Sequence, residues 1–308
     1  MGALFVAACG GEERPRYGDL APGYVDRVGD MVADPPENPA NWVNPRRLVF
    51  AYTPVEDPAV YRDVWQEFLE HLEAVTGRDV VFFPVQSNAA QLEAMRAGRL
   101  HVTGFNTGSV PLAVNLCGFV PFAMMANADE SYGYEMEIIV PAESGVREVT
   151  DLRGKTIAFT SPTSNSGFKA PQVLMREEFD MEIERDFEAR FSGKHDNSIL
   201  GVANRDYDAA AIANTVLHRM VERGVLAPDR VRTIYRSPTF PTTAYGHSHN
   251  LHPELAEKVR EAFFTFEWEG TGLAREYSED RFIPVTYKEH WDVIRVIDRG
   301  FGISYSDR

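Results

Sequence analysis

Cysteine is scarce in this chain: Cys9 and Cys117 are the only two among 308 residues, so a disulfide framework does not hold it together. Positive charge is short as well. Thirty-one Lys and Arg stand against 46 Asp and Glu, a formal net charge of −15. That balance excludes nucleic acid and anionic membrane surfaces as partners, since both need clustered cations. It does not exclude a small anionic ligand, because helix ends and neutral donors set their own local potential. No run approaches the roughly 20 apolar residues of a membrane span. There is no phosphate-loop lysine motif, no nucleophile elbow and no carboxylate pair placed by context, which leaves a phosphoester enzyme as the weakest reading and binding without chemistry as the expectation. Close repeats and low-complexity tracts are missing too. What remains is ordinary globular composition, 44% hydrophobic and 25% charged, in a chain long enough for two domains.

The chain opens with Leu4-Phe5-Val6-Ala7-Ala8-Cys9-Gly10-Gly11. Val-Ala-Ala-Cys resembles a bacterial lipobox, in which the Cys is lipidated after signal cleavage. The apolar run is shorter than a full signal core and no basic stretch precedes it, so a plain start with a chance Cys is the competing reading. Residues 1–11 are therefore expected to be a signal remnant with lipidation at Cys9. Residues 12–45, with Pro15, Pro22, Pro35, Pro36, Pro39 and Pro45, read as a tether or wrapping arm.

Arg47–Tyr52 reads as a first strand, broken at Thr53-Pro54. Val60, Val64, Phe68, Leu69, Leu72 and Val75 follow at helical spacing, with Gly77 as the stop. Asp79–Pro84 is a second strand, Gln91–Ala97 a helix and His101–Phe105 a third strand. This β-α-β-α-β order predicts a parallel sheet with right-handed crossovers, and the loop Asn106-Thr107-Gly108-Ser109 sits where such sheets bind ligands. Tyr134–Val140 reads as another strand.

A second unit repeats the scheme from Asp151. Strand 156–160 runs into Ser161-Pro162-Thr163-Ser164-Asn165-Ser166-Gly167, then a helix to about Phe179. A strand, a loop of small hydroxyl residues and a helix start make an anion cradle. The first N–H groups of a helix have no internal partner, and the helix dipole is positive there. Pro171 is tolerated only in a first turn, which places the helix start nearer Phe168 than Ser166. A strand at Phe187–Phe191, a helix at Ser198–Ala203, a strand at Asp208–Ile212, a helix from Asn214 to Arg223 and a strand at Arg232–Tyr235 complete the unit. Ser237-Pro238 and Phe240-Pro241 read as a return crossing, followed by helices at Pro253–Phe266 and Tyr287–Asp298. The expectation is a hinged clamshell: lobe 1 from residues 46–140 plus 237–308, lobe 2 from residues 141–236.

In order along the chain, Tyr52-Thr53-Pro54, Leu92-Glu93-Ala94-Met95-Arg96-Ala97-Gly98, Gly133-Tyr134, Asp151-Leu152-Arg153-Gly154-Lys155, the hydroxyl loop, Ser192-Gly193-Lys194-His195-Asp196 and Ser237-Pro238-Thr239-Phe240-Pro241 form an ordered set. With it, the chain resembles the periplasmic phosphonate/phosphite/phosphate-binding proteins of ABC transporters, a type II periplasmic-binding-protein family. The resemblance covers most of residues 47–290. It implies an α/β two-lobed type II clamshell with parallel-rich sheets flanked by helices. It implies capture of a small phosphorus oxyanion by hinge closure, an extracytoplasmic location, and the transporter's membrane subunits as partners of a monomer that touches the membrane only through a lipid anchor. Ser164, Asn165 and Ser166 match the loop that grips phosphono oxygens, with Asn165 departing from the family's usual Ser-Thr-Ser. His195 and Tyr134 match further family positions, and Tyr52 or Thr53 the donor of the first loop. The family's carboxylate does not align; Ala213-Asn214-Thr215 occupies its place, with Asp208 upstream. That favours a bare oxyanion over an aminophosphonate.

Each position also has a plainer reading. Ser164 and Asn165 are good helix caps in any case. His195 could be a solvated loop residue, Tyr134 core, and Asn106, Thr107 and Ser109 ordinary loop polarity. His247, His249 and His252 lack a carboxylate or Cys to complete a metal set, so no metal or cofactor is expected. Cys117 reads as a small buried residue. Its alternative, a soft ligand for arsenite, comes from the resemblance to arsenite-sensing relatives that signal to a membrane histidine kinase.

Overall fold

Leu48, Phe50 and Tyr52 alternate along strand β1 (Arg47–Tyr52) toward one face of a six-stranded sheet. A computed structural model describes residues 20–57 and 60–302; Cys9 lies outside the described residues. β1 pairs in parallel with β2 (Asp79–Phe82) and β3 (Val102–Phe105), as the β-α-β-α-β pattern requires. Helix Gln66–Thr76 packs its Phe68 and Leu72 under the sheet and ends on Gly77 in the left-handed region, φ 65°. Helix Asn88–Arg96 starts at Ser87, whose hydroxyl accepts from Ala90 N–H at 3.1 Å.

The sheets are mixed rather than parallel-rich. In the first, β4 (Phe119–Ala126), β10 (Ala244–Ser248) and β11 (Arg281–Pro284) join antiparallel, giving the order β11-β4-β10-β3-β1-β2. The second sheet has the order β7-β6-β8-β5-β9, with β5 (Met136–Pro141), β6 (Thr156–Phe159), β7 (Glu188–Phe191), β8 (Ala209–Ala213) and β9 (Val231–Arg236). β6 runs parallel to β7 and β8, and β5 antiparallel to β8 and β9.

β5 corrects the expected domain boundary. It lies between β8 and β9 in the second sheet, so the chain leaves lobe 1 before Met136 rather than at residue 140. Met136, Ile138 and Val140 are buried together with Glu137 and Ile139, as befits an inner strand covered on both faces and paired on both edges. The C-terminal helix Asp292–Gly300 also departs from a lobe-1 assignment: it packs on helix Ala170–Phe179 of lobe 2.

The two crossings between lobes are hydrogen-bonded to each other. Tyr134 N–H donates to Phe240 O at 3.0 Å and Phe240 N–H to Tyr134 O at 2.8 Å, so Tyr134 belongs to the hinge rather than to β5. Gly133 beside it has φ +118°, and a Cβ there would stand 2.2 Å from Thr239 Cγ2.

Residues 20–45 lie against lobe 1. Ala21 N–H donates to Asn115 O and Val43 N–H to Asn250 O, while Val32 and Ala33 are buried. The three clustered histidines serve packing: His247 against Phe122, His249 against Tyr24 and His252 against Trp42. Cys117 is buried in the lobe-1 core, its thiol donates to Leu92 O, and burial pushes its pKa up to about 12.

Candidate functional site

The hydroxyl loop after β6 closes into a wide turn, Asn165–Lys169, before helix Ala170–Phe179 begins. Pro171 has no N–H to give, and it sits in the first turn of that helix, where none is needed. The wide turn delays the helix and leaves Ser164, Asn165 and Ser166 at its mouth. Ser164 Oγ accepts from Gly167 N–H at 3.0 Å; a hydroxyl has one hydrogen to donate, and this contact does not use it. Asn165 Nδ2 donates to the Tyr134 hydroxyl at 3.3 Å, which likewise leaves the phenol its own hydrogen.

All three loop residues and Tyr134 line a cavity between the lobes, as do His195, Tyr52, Asn106 and Thr107. His195 opens helix His195–Ala203 and is buried. Its Nδ1 accepts from Ala213 N–H at 3.1 Å, so the hydrogen of the neutral ring resides on Nε2. Burial pushes the pKa of this imidazole down to about 4, with Glu56 acting upward and Arg219 further downward. At neutral pH it is an uncharged donor.

Lobe 1 meets this surface with the loop after β3. Asn106 Oδ1 accepts from Ser109 N–H at 2.9 Å. The Thr107 hydroxyl donates to Pro241 O at 2.7 Å, which binds the loop to the second crossing and commits that hydrogen. Gly108 approaches the opposite lobe so closely that a Cβ would lie 2.3 Å from Thr163 O and 2.5 Å from Asn165 N. Asn88 Nδ2 donates across the same seam to Ser161 Oγ at 3.2 Å and Thr163 Oγ1 at 3.0 Å. The cleft is closed.

Two expected site residues lie off the cavity wall. Thr53 is buried with its hydroxyl 3.5 Å from Asn88 Oδ1. Asn214 Oδ1 accepts from Glu135 N–H at 3.0 Å, and the neighbouring Thr215 lines the cavity instead. Cys117 is likewise absent from the lining, which removes the structural basis for a thiol ligand to arsenite in the cleft.

Other lining residues had no sequence signal. Thr242 and Thr243 come from the second crossing, Tyr245 from β10, and Tyr277 and Glu279 from the segment before β11. Arg219 also lines the cavity, with its guanidinium 5.5 Å from the centre of the Tyr277 ring. It stands in helix Asn214–Glu222, between the buried Val216 and Met220, where its spacing looks like an ordinary amphipathic face. Glu279 places a carboxylate on the wall from lobe 1, contrary to the expectation of a cavity without one.

Two mixed α/β lobes, hydrogen-bonded at a double crossing and closed over a cavity lined by polar and aromatic side chains, define a hinged ligand-capturing protein. The chain belongs to the family of periplasmic substrate-binding proteins of ABC transporters for phosphonate, whose family model matches residues 50–291. It is 26% identical to the phosphate-import protein PhnD of Mycolicibacterium smegmatis over 97% of this chain and 90% of that protein. It is 24% identical to the phosphonates-binding periplasmic protein of Escherichia coli over 72% of this chain and 66% of that protein. The structure of PhnD1 from Prochlorococcus marinus in complex with methylphosphonate superposes with a TM-score of 0.75 at 18% identity, covering 84% of this chain and 99% of that one. The protein is thus a periplasmic substrate-binding component of an ABC transporter.

Proposed function

We propose that the cleft captures a small tetrahedral phosphorus oxyanion, with phosphonate, phosphite and phosphate as the candidates, and passes it unchanged to the transporter's membrane subunits. The observation that carries this reading is the convergence of neutral donors on one buried cavity. Ser164, Asn165 and Ser166 at a helix start and the Nε2–H of His195 come from one lobe; the Asn106–Gly108 loop comes from the other. Asn106, with its amide oxygen already engaged, keeps the donor half for the ligand. Donors from both lobes make the ligand a bridge, so it binds the closed state in preference to the open one. Tyr134 serves both hinge and site: its backbone pairs the crossings and its ring lines the cavity.

Relatives whose names specify phosphate import and phosphonate binding, and a methylphosphonate complex on the same fold, support this ligand class. Calorimetry with phosphate, phosphite and methylphosphonate tests it. At least one is expected to bind with 1:1 stoichiometry, and Ser166→Ala and Ser164→Ala are expected to weaken it tenfold or more. No heat from any of the three would reject the reading. We further propose that Cys9 carries a lipid that holds an otherwise monomeric protein at the membrane; metabolic labelling with palmitate, lost in Cys9→Ala, tests that.

A further inference from the structure

Beside the cavity, four charged side chains meet across the cleft. Glu56, from the loop after β1 in lobe 1, is only 2% exposed. Its Oε1 accepts from Arg219 Nη2 at 2.7 Å and Nε at 3.1 Å, and its Oε2 from Arg223 Nη1 at 2.6 Å. Both arginines come from the end of helix Asn214–Glu222 in lobe 2. A second lobe-1 carboxylate, Glu276, lies 3.4 Å from Arg219 Nε and pairs with Arg223 as well. The Tyr61 hydroxyl completes the shell of Glu56 at 3.1 Å. Two carboxylates from one lobe and two guanidiniums from the other form a neutral set that closure alone assembles.

We propose that Glu56 is a positioning residue for ligand capture: it draws Arg219 and Arg223 across the cleft as the lobes close, and so sets the Arg219 guanidinium against the cavity. The physical reason is the placement of the partners. Glu56 is held in lobe 1 by Tyr61, and its cations travel with lobe 2, so opening the cleft breaks every charged contact of a buried carboxylate at once. Water must then enter to solvate it. Arg219 is the cavity-lining member of the set, and its other neighbours on the wall are Tyr52, Tyr277 and Glu279. With the clasp formed, Arg219 is held at the cavity wall by two carboxylates of the facing lobe; with the clasp open, it stays on lobe 2 but loses both partners. The ligand therefore meets a positioned guanidinium chiefly in the closed state. That makes release, not encounter, the step the clasp controls.

This inference builds on the oxyanion reading, and the test separates the two. One dye on each lobe reports the inter-lobe distance by single-molecule energy transfer, first without ligand and then with phosphate, phosphite and methylphosphonate. Stopped-flow fluorescence gives the rates for whichever of them binds. Glu56→Gln keeps shape and the Tyr61 contact but removes the charge. It is expected to lower the closed fraction without ligand, to speed ligand release at least tenfold, and to leave the association rate within about threefold. Glu56→Asp should restore part of the effect, and Arg223→Gln should reproduce it without adding to Glu56→Gln. Identical distance distributions and release rates in wild type and Glu56→Gln would overturn the clasp. Absence of binding by all three anions would instead overturn the oxyanion reading and leave the ligand-free distances to decide the clasp.

Discussion

Lys169 and Asp298 form an ion pair with neither residue exposed: Nζ lies 2.6 Å from Oδ1. The same ammonium donates to Gly108 O at 2.9 Å. Three segments far apart in sequence meet at this one side chain. They are the turn that begins at Ser164, the lobe-1 loop whose Gly108 touches that turn, and the C-terminal helix. Burial lowers the pKa of Lys169, and Asp298 resists that shift. The pair therefore ties the turn that faces the ligand to the loop of the opposite lobe and to the C-terminal helix.

Removing one partner strands the other in a dry environment. Lys169→Met is expected to destabilise the protein by about 3–5 kcal/mol, and the Lys169→Met/Asp298→Leu pair by much less. Denaturant unfolding of the two variants checks this; equal losses would show that the charges do not act together.

Gly108→Ala adds a methyl group where the lobes touch, 2.3 Å from Thr163 O. Neither lobe interior contains that atom, so thermal stability should change little while ligand affinity falls by two orders of magnitude or more. Small-angle scattering should show the variant open even with saturating ligand. A closed, tightly binding variant would contradict the close approach at this seam.

His195 gives the protein a defined pH response. Its folded pKa of about 4 lies below the ordinary histidine value of 6.5, so between those values the unfolded chain holds more protons and stability falls as pH falls. From about pH 7 down to about pH 5, this one group should remove about 2 kcal/mol. His195→Asn should shrink the pH dependence of the unfolding free energy, read from urea titrations, by that amount. His247, also pushed down to about 4 by burial, adds a separate contribution of the same sign that this variant leaves in place.

Cys117 should be silent toward thiol reagents. Its pKa of about 12 keeps it protonated at neutral pH, and its burial denies access. In a Cys9→Ser chain, an aromatic disulfide reagent is expected to label no thiol in the native state and one after unfolding. Arsenite should give no cleft binding that Cys117→Ala abolishes.

Local pattern was enough for part of this molecule. The strand-helix alternation around Phe50, Phe68 and Val102 is set by side chains that must share one sheet face or one helix stripe, so it could be read as a parallel unit. β4 and β10 could not be read that way. Phe119–Ala126 is nearly continuous in apolar or small residues, and Ala244–Ser248 mixes small residues with Tyr245 and His247 yet is wholly buried; neither shows a period of two, because both of their faces are covered. The assignment of Met136–Pro141 to a lobe rests on partners more than 70 residues away, Ala210–Ala213 and Val231–Arg236, which no local pattern encodes.

The hydroxyl loop was legible for a physical reason. Backbone N–H groups at a helix start and short hydroxyl side chains make a donor surface wherever they occur. The sequence by itself determined that loop, the two-unit α/β plan and the net negative charge. Only the tertiary structure decided what faces the loop: Arg219 and Glu279 reach the same cavity from opposite lobes, while Thr53 and Asn214 turn to other partners. A side chain's chemistry is written in its residue type, but its partner is set by which distant segments the fold brings within about 3 Å, and that distance is a property of packing alone.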